Sequence, residues 1–229
     1  MTEAETPEDL PVLFHDKRLL VVAKPSGMIV HRGWAQDRVV AMTLARDLAG
    51  RHVYPVHRLD RGTSGVLVFA LDPGICRSVQ ELFQQGRVRK RYLALVRGIA
   101  PEQELIDHPI PKSPRGPRVP AITRIRRLAT FEQRYSLVEA HPETGRLHQV
   151  RRHLKHLSHP LIGDVKYGKG EHNRYFRQRF GLHRLALHAA AIEFEHPETG
   201  CGLRCTASLP EDLARPFAAM GLPAEAFGV

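Results

Sequence analysis

The chain has 229 residues, 42% of them hydrophobic, with 34 lysines and arginines against 24 acids, a formal charge of +10 with histidine neutral. That length supports one substantial core or two small lobes, and no apolar stretch approaches a membrane span. The basic excess favours a polyanionic partner, nucleic acid first, with a generally basic soluble protein as the plain alternative.

Residues 1–9 carry Glu3, Glu5, Glu8 and Asp9 and read as a solvated acidic tail, not a secretory signal, so 10–229 are expected to form a single domain. Residues 19–24 read as a buried strand, ended by the turn Pro25-Ser26-Gly27. Residues 39–49 have helical spacing, with Gly50 as the stop. Next comes His57-Arg58-Leu59-Asp60-Arg61-Gly62-Thr63-Ser64-Gly65, then an unbroken apolar run at 66–71 that reads as a buried strand. A single carboxylate, Asp60, thus stands between two arginines in a glycine-bounded turn at the mouth of a core element. Cations on both sides favour its ionised form. An ionised, oriented Asp without a second acid nearby suits a nucleophile better than a proton donor. An Asp that caps the turn and pairs with Arg58 or Arg61 fits the spacing equally well.

Asp72-Pro73 offers an N-cap with proline in the first helical turn; Val79, Leu82 and Phe83 give that helix its apolar face and Gly86 ends it. Residues 88–96 alternate as a strand, with Val88, Lys90, Tyr92, Ala94 and Val96 on one face. Six prolines between 101 and 120 predict a long irregular loop, made basic by Lys112, Arg115 and Arg118. Strand patterns follow at about 122–131 and 136–140. His-Pro-Glu-Thr-Gly occurs at 141–145 and again at 196–200, and both copies read as hairpin turns. Leu147, Val150, Leu154 and Leu157 fall on one helical face, while His148, Arg151, Arg152 and Lys155 form a second, basic one. A strand at 185–195 and a helix at 211–220, stopped by Gly221, complete the series. Strands and helices mix without regular alternation, so the predicted class is α+β.

Three cysteines, Cys76, Cys201 and Cys205, are too few and too oddly spaced for a disulfide framework, which suits a reducing cytoplasm. The histidine-rich stretch from His148 to His183 lacks the paired spacing of a zinc site. No glycine-rich phosphate loop is present, so neither metal nor cofactor is expected. Ser64 has no triad partners at a recognisable spacing. A glycosidase would want two carboxylates flanking one bond; Glu81 and Glu139 are the nearest candidates, and neither stands in a comparable loop. Arg151 is the cation expected to pair with Asp60, since an arginine can fix a carboxylate through two parallel hydrogen bonds; a phosphate contact is its other reading.

Together these segments resemble the RluA-type pseudouridine synthases. His57-Arg58-Leu59-Asp60 with Thr63-Ser64-Gly65 resembles the family's catalytic motif, and Lys90-Arg91-Tyr92 its second. Gly145 to Arg151, followed by His159-Pro160-Leu161-Ile162-Gly163-Asp164, resembles its third. Leu187-His188-Ala189 and Lys24-Pro25-Ser26-Gly27 match two further short blocks, all in family order. The resemblance implies a mixed, largely antiparallel sheet with flanking helices around an RNA-binding cleft. It implies isomerisation of a uridine in RNA: the glycosidic bond breaks, the uracil turns while bound, and it is rejoined through carbon, without metal or cofactor.

By the match, Asp60 is the nucleophile, on ribose C1′ or on the uracil ring. Tyr92 stacks on the uracil and takes the C5 proton, Arg151 pairs with Asp60, and Arg58 helps fill the space of a displaced base. His57, Arg146, Gln149, Arg152, Lys155, Arg115, Arg118, Arg174 and Arg177 are the expected RNA contacts. Val30-His31-Arg32-Gly33-Trp34 and residues 151–160 bring the chain nearest the branch acting on uridine 65 in the T-stem of tRNA. A ribosomal RNA target is the alternative, and a non-catalytic RNA-binding protein a third reading. With only a short stretch before the first core strand, the extra N-terminal RNA-binding domain of many relatives is not expected. A monomer with no protein partner is expected.

Overall fold

The computed structural model describes residues 10–32, 37, 39–113 and 116–227. The chain opens with β1 (Val12–His15) and β2 (Leu19–Lys24), then α1 (Ala41–Ala49), β3 (Tyr54–Pro55), β4 (Ser64–Ala70) and α2 (Pro73–Gln84). The middle is strand-rich: β5 (Arg89–Arg97), β6 (Gln103–Asp107), β7 (Ile110–Pro111), β8 (Arg118–Val119), β9 (Ile122–Phe131) and β10 (Tyr135–Pro142). Then come α3 (Gln149–His156), α4 (Gly170–Phe180), β11 (Leu187–Glu195), β12 (Gly202–Thr206) and α5 (Glu211–Ala219). Among the described residues no helix is long and apolar enough to cross a membrane.

Among the described residues, ten strands form one sheet. Eight run in the order β1-β2-β4-β11-β5-β10-β9-β6, with β12 added to β11 and β3 to β4; β7 and β8 make a separate small hairpin. The pairings are antiparallel except β4 with β11, which is parallel. This is the α+β, largely antiparallel arrangement expected. The apolar run after Asp60 is unbroken because β4 is buried on both faces. Val66 and Val68 pack with Val79 and Leu82 of α2, while Leu67 and Phe69 pack with Ala41 and Ala45 of α1. Further along the sheet, Ala94, Val96, Val138 and Ala140 form a floor for Val150 and Leu154 of α3.

The register fixes where the chemistry can sit. Ser64 and Gly65 at the start of β4 pair with His188 and Ala189 of β11, and Ala189 also pairs with Tyr92 of β5. The Asp60 loop therefore ends beside Tyr92. Gly65 has φ +115°, and a Cβ there would lie 2.1 Å from the Ala189 carbonyl oxygen. That oxygen belongs to a central strand and cannot yield cheaply. Gly65→Ala is expected to prevent folding, seen as loss of the cooperative thermal transition; a variant that melts within a few degrees of the parent would contradict this.

Several expectations need correction. The proline-rich segment is not irregular throughout, because it contains β6 and the β7–β8 hairpin. Pro101 and Pro109 flank β6 instead of interrupting it, and only Ile106 in that edge strand is buried, so no apolar alternation marks it. The first His-Pro-Glu-Thr-Gly is no hairpin: His141 and Pro142 still pair with Arg124 and Thr123 on β9, and the chain then turns into α3. The second copy does join β11 to β12. Leu147 precedes α3 and is 43% exposed, so it is not part of the helix's apolar face.

Candidate active site

Asp60 is carried on a loop whose backbone is tied down from two sides. Thr63 N–H donates to the Asp60 carbonyl at 3.0 Å and closes the turn. The Lys24-to-Met28 turn then clamps the next two carbonyls: Gly27 N–H reaches Arg61 O at 2.8 Å and Ser26 Oγ donates to Gly62 O at 3.0 Å. Lys24 Nζ lies buried under this junction, donating to Pro25 O at 2.7 Å and Met28 O at 2.8 Å. Burial pushes its pKa down to about 7. On the other side, His57 Nε2 accepts the Val68 N–H at 3.1 Å, and burial, with the charge of Lys90, pushes the imidazole down to about 4. His57 is thus a neutral ring that anchors the loop to β4.

Arg151, on α3, donates from Nη1 to Asp60 Oδ2 at 2.9 Å. Its other edge is held by Asp164, with Nε to Oδ2 at 2.7 Å and Nη2 to Oδ1 at 2.9 Å. The Asp164 side chain is wholly buried. Burial works against its charge, but Arg151 and the N–H groups of Tyr167 and Lys166 outweigh that and hold its pKa below the usual aspartate range. Burial likewise opposes the Arg151 charge, and the two carboxylates more than restore it, leaving its pKa raised. The result is a line Asp60–Arg151–Asp164, in which the guanidinium belongs first to Asp164 and offers its remaining corner to Asp60.

His148 adds a fourth member. It holds φ +55°, ψ +30° at the start of α3, a left-handed conformation uncommon for a residue with a Cβ. Its Nδ1 lies 3.0 Å from the Tyr167 hydroxyl and its Nε2 3.7 Å from Asp60 Oδ1. Burial lowers its pKa. The Tyr167 ring underlies Arg151, 5.1 Å from the guanidinium carbon.

Tyr92 projects from β5 between Ala189 and Ala140, neighbours small enough to leave its ring a face on the cleft. Burial, then the Asp60 charge, raises its pKa, so the phenol stays protonated at neutral pH. Lys90, two residues earlier on the same face, donates to Thr144 O at 3.0 Å, and burial lowers it to about 8. Two cavities meet at Asp60. One, of about 940 Å³, includes Tyr92, Lys90, His57 and Arg146; the other, of about 730 Å³, includes His31, Val165, Lys166 and His183. Arg58, Asp60, Leu147, His148 and Arg151 line both.

The other sequence-predicted residues divide. The Arg58 side chain is exposed at the cleft and makes no hydrogen bond or ion pair among the described residues. Arg146 lines the larger cavity and donates to Pro120 O at 3.0 Å. Arg152 holds Pro111 O at 3.0 Å and the Tyr167 hydroxyl at 3.1 Å, and Arg118 holds Pro109 O at 2.8 Å, so both brace the β7–β8 hairpin. Lys155 lies over the Tyr167 ring. Arg174 and Arg177 are exposed on α4, while Arg115 lies outside the described residues. Gln149 is buried and fully engaged: Oε1 accepts from Thr144 and Arg146 N–H, and Nε2 donates to Ile122 O and Thr123.

Arg61 departs from expectation, because it turns away from Asp60 to pair with Asp37 at 2.5 and 2.8 Å. Glu139 is no second acid for Asp60. It is an ion-paired group on β10, and His141 and then Arg91 hold it down to about 2 against burial. Ser64 does meet a histidine, His188 Nδ1 at 2.9 Å, but both are buried and His188 Nε2 is committed to Ala207 O. That pair is structural. No group of three or more His, Cys, Asp or Glu able to hold a metal occurs among the described residues.

Sequence reasoning gave no role to Asp164, Tyr167 or Lys90. Lys90 could be placed with Tyr92 by strand alternation. Asp164 closes the third block of the resemblance, but spacing does not announce its partner, thirteen residues away across a loop.

Comparison with known proteins places the chain in a family. The family described as RNA pseudouridylate synthase matches residues 18–156. This chain belongs to that family. The synthase is 42% identical over 216 residues to tRNA pseudouridine synthase C of Haemophilus ducreyi, covering 83% of this chain and 87% of that one. It is 41% identical over 228 residues to the protein of the same name from Salmonella typhimurium, covering 88% and 86%. Among solved structures, human RNA Pseudouridylate Synthase Domain Containing 4 superposes with a TM-score of 0.76 at 27% identity, over 92% of this synthase and 93% of that chain.

Proposed function

We propose that this synthase converts uridine 65 in the T-stem of tRNA to pseudouridine, with Asp60 as the nucleophile. The observation that carries the substrate is the 42% identity, over most of both chains, to a protein named tRNA pseudouridine synthase C. The Asp60–Arg151–Asp164 line supports the chemistry.

The uridine is extruded from its stem at a cost of about a few kcal/mol, offset by stacking and phosphate contacts. Tyr92 supplies the face for the uracil; its raised pKa supports stacking over proton abstraction. Arg58, unpartnered at the cleft, helps fill the vacated position in the stack. Asp60 attacks ribose C1′ or the uracil ring. On either route the C1′–N1 bond breaks, a C1′–C5 bond forms, C5 loses a proton and N1 gains one. The carboxylate is released unchanged. When Asp60 becomes an ester or adduct its charge is lost, and Arg151 keeps Asp164 as counter-ion, so the buried guanidinium is never left unpaired.

The purified protein is expected to form pseudouridine in a tRNA transcript at the T-stem position, mapped by reverse-transcription stops after carbodiimide treatment. Bare ribosomal RNA fragments should remain unmodified. The reverse pattern would move this chain to the ribosomal branch.

A further inference from the structure

The two cavities that meet at Asp60 differ in chemistry. The larger one holds Tyr92 and takes the reacting uridine. The smaller opens on the other side of the wall made by Arg58, Asp60, Leu147 and Arg151. At its rim stands Val165, 93% exposed, the highest exposure of any large apolar side chain among the described residues. An exposed valine is ordinary in itself, but the turn that presents this one is fixed on every side. Asn173 Oδ1 accepts from Gly163 N–H at 2.8 Å, and Asn173 Nδ2 donates to Asp164 O at 3.2 Å. Asp164 Oδ1 accepts the N–H groups of Lys166 and Tyr167, and Asp164 O accepts that of Gly168 at 3.0 Å. At its start the backbone packs closely against β11's approach, since a Cβ at Gly163 would lie 1.9 Å from Arg184 O.

A β-branched side chain on such a backbone has little freedom left to lose on binding. Around it lie Lys166, His31, His183 and Arg58, all exposed. Of these, the side chains of His31, His183 and Arg58 have no hydrogen-bond or ion-pair partner among the described residues. Half-exposed Leu147 lines the same cavity. The carboxylates of Asp60 and Asp164 share the guanidinium of Arg151, so one negative charge of the trio is offset there. An apolar knob in a cavity lined by exposed cationic and imidazole groups matches a nucleotide, with base against the apolar part and phosphate on the charged side chains.

We propose that this cavity is a second nucleotide subsite, which holds the residue next to the target uridine in the RNA chain, its base resting against Val165. The inference rests on the reading that RNA binds with the target uridine at Asp60. A nucleotide joined to that uridine must pass the shared wall, and the smaller cavity is the space beyond it.

The test uses a T-arm stem-loop and two derivatives in which an abasic ribose replaces the base immediately before or after the target. Val165→Ser is at the surface and leaves the fold intact. It should raise KM about three- to tenfold on the intact stem-loop, the scale of one lost apolar contact, with kcat unchanged because Val165 touches no reacting atom. On one of the two abasic derivatives, the variant and the parent should become equal. Val165→Phe, which enlarges the apolar face, should lower KM on the intact stem-loop. A Val165→Ser penalty of the same size on all three RNAs, or no penalty on any, overturns the subsite. If the parent enzyme leaves the stem-loop untouched, the T-stem assignment fails instead. The same three-way comparison around the uridine mapped in total RNA then decides the subsite.

Discussion

Asp60→Asn is expected to fold, to bind RNA as the parent does, and to form no detectable pseudouridine. The asparagine keeps the shape of the side chain and loses its charge and nucleophilicity. The loop does not depend on the carboxylate, because its turn is closed by Thr63 N–H on the Asp60 backbone carbonyl and clamped through Arg61 O and Gly62 O. Breaking a buried ion pair ordinarily costs about 3–5 kcal/mol through the charge left behind. Here that charge is not left behind, since Arg151 retains two hydrogen bonds to Asp164. The stability change should therefore stay below about 1 kcal/mol, the range of an exposed or weakly coupled pair. Asp60→Glu should fail nearly as badly in turnover, because one methylene moves the oxygen by about 1 Å, and misplacement on that scale costs about a hundredfold. The opposing view, in which Asp60 only caps its turn, requires the reverse pattern of lost stability and retained turnover. Denaturant titration and a pseudouridine assay on the same preparation separate the two, and near-normal turnover in a folded Asp60→Asn protein would falsify the nucleophile assignment.

Much of this site was legible because its parts are local in sequence. The Asp60 loop announces itself by glycines, one acid and the apolar run after it, and that run is apolar without alternation because β4 is covered by α1 on one face and α2 on the other. Tyr92 and its face follow from strand alternation, and the basic face of α3 from helical spacing. What was not legible depends on contacts between distant segments. Arg61 looks like a partner of Asp60 in sequence, yet the backbone turn aims it at Asp37. Gln149 and His57 look like polar groups free for RNA, yet each is consumed by backbone partners. Leu147 reads as core by spacing, but α3 begins two residues later and leaves it at the cavity rim. Strand β6 carries a single buried residue, so no hydrophobic pattern could mark it.

Asp164→Asn should lower turnover by about a hundredfold or more while leaving KM within about threefold, although Asp164 touches no substrate. Asp164 fixes Arg151 through a bidentate pair, and Arg151 in turn fixes Asp60. With asparagine in place, one of the two acceptors becomes an NH₂ group that cannot take a hydrogen bond from Arg151. The guanidinium then swings toward its remaining anion, Asp60, and ties up the oxygens needed for attack. Displacing the nucleophile by about 1 Å accounts for a loss of that size, and RNA contacts elsewhere leave binding largely intact. Stability should also fall, by up to about 3 kcal/mol, the low end for a broken buried pair, since Asp60 remains as a counter-ion.

The pH dependence carries a sign that a mere packing role would not produce. The folded pKa of Asp164 lies below its unfolded value, so its contribution is fully present above the unfolded value of about 3.9 and is lost as pH falls from there through the folded pKa. The parent should lose stability across that acidic window more steeply than Asp164→Asn, and the two curves should converge there. If Asp164 merely braced the 163–168 turn, activity per folded molecule would be unchanged and the kcat loss would vanish once corrected for the folded fraction. A corrected kcat within about threefold of the parent would remove Asp164 from the nucleophile's support and leave Arg151 to act through Asp60 alone.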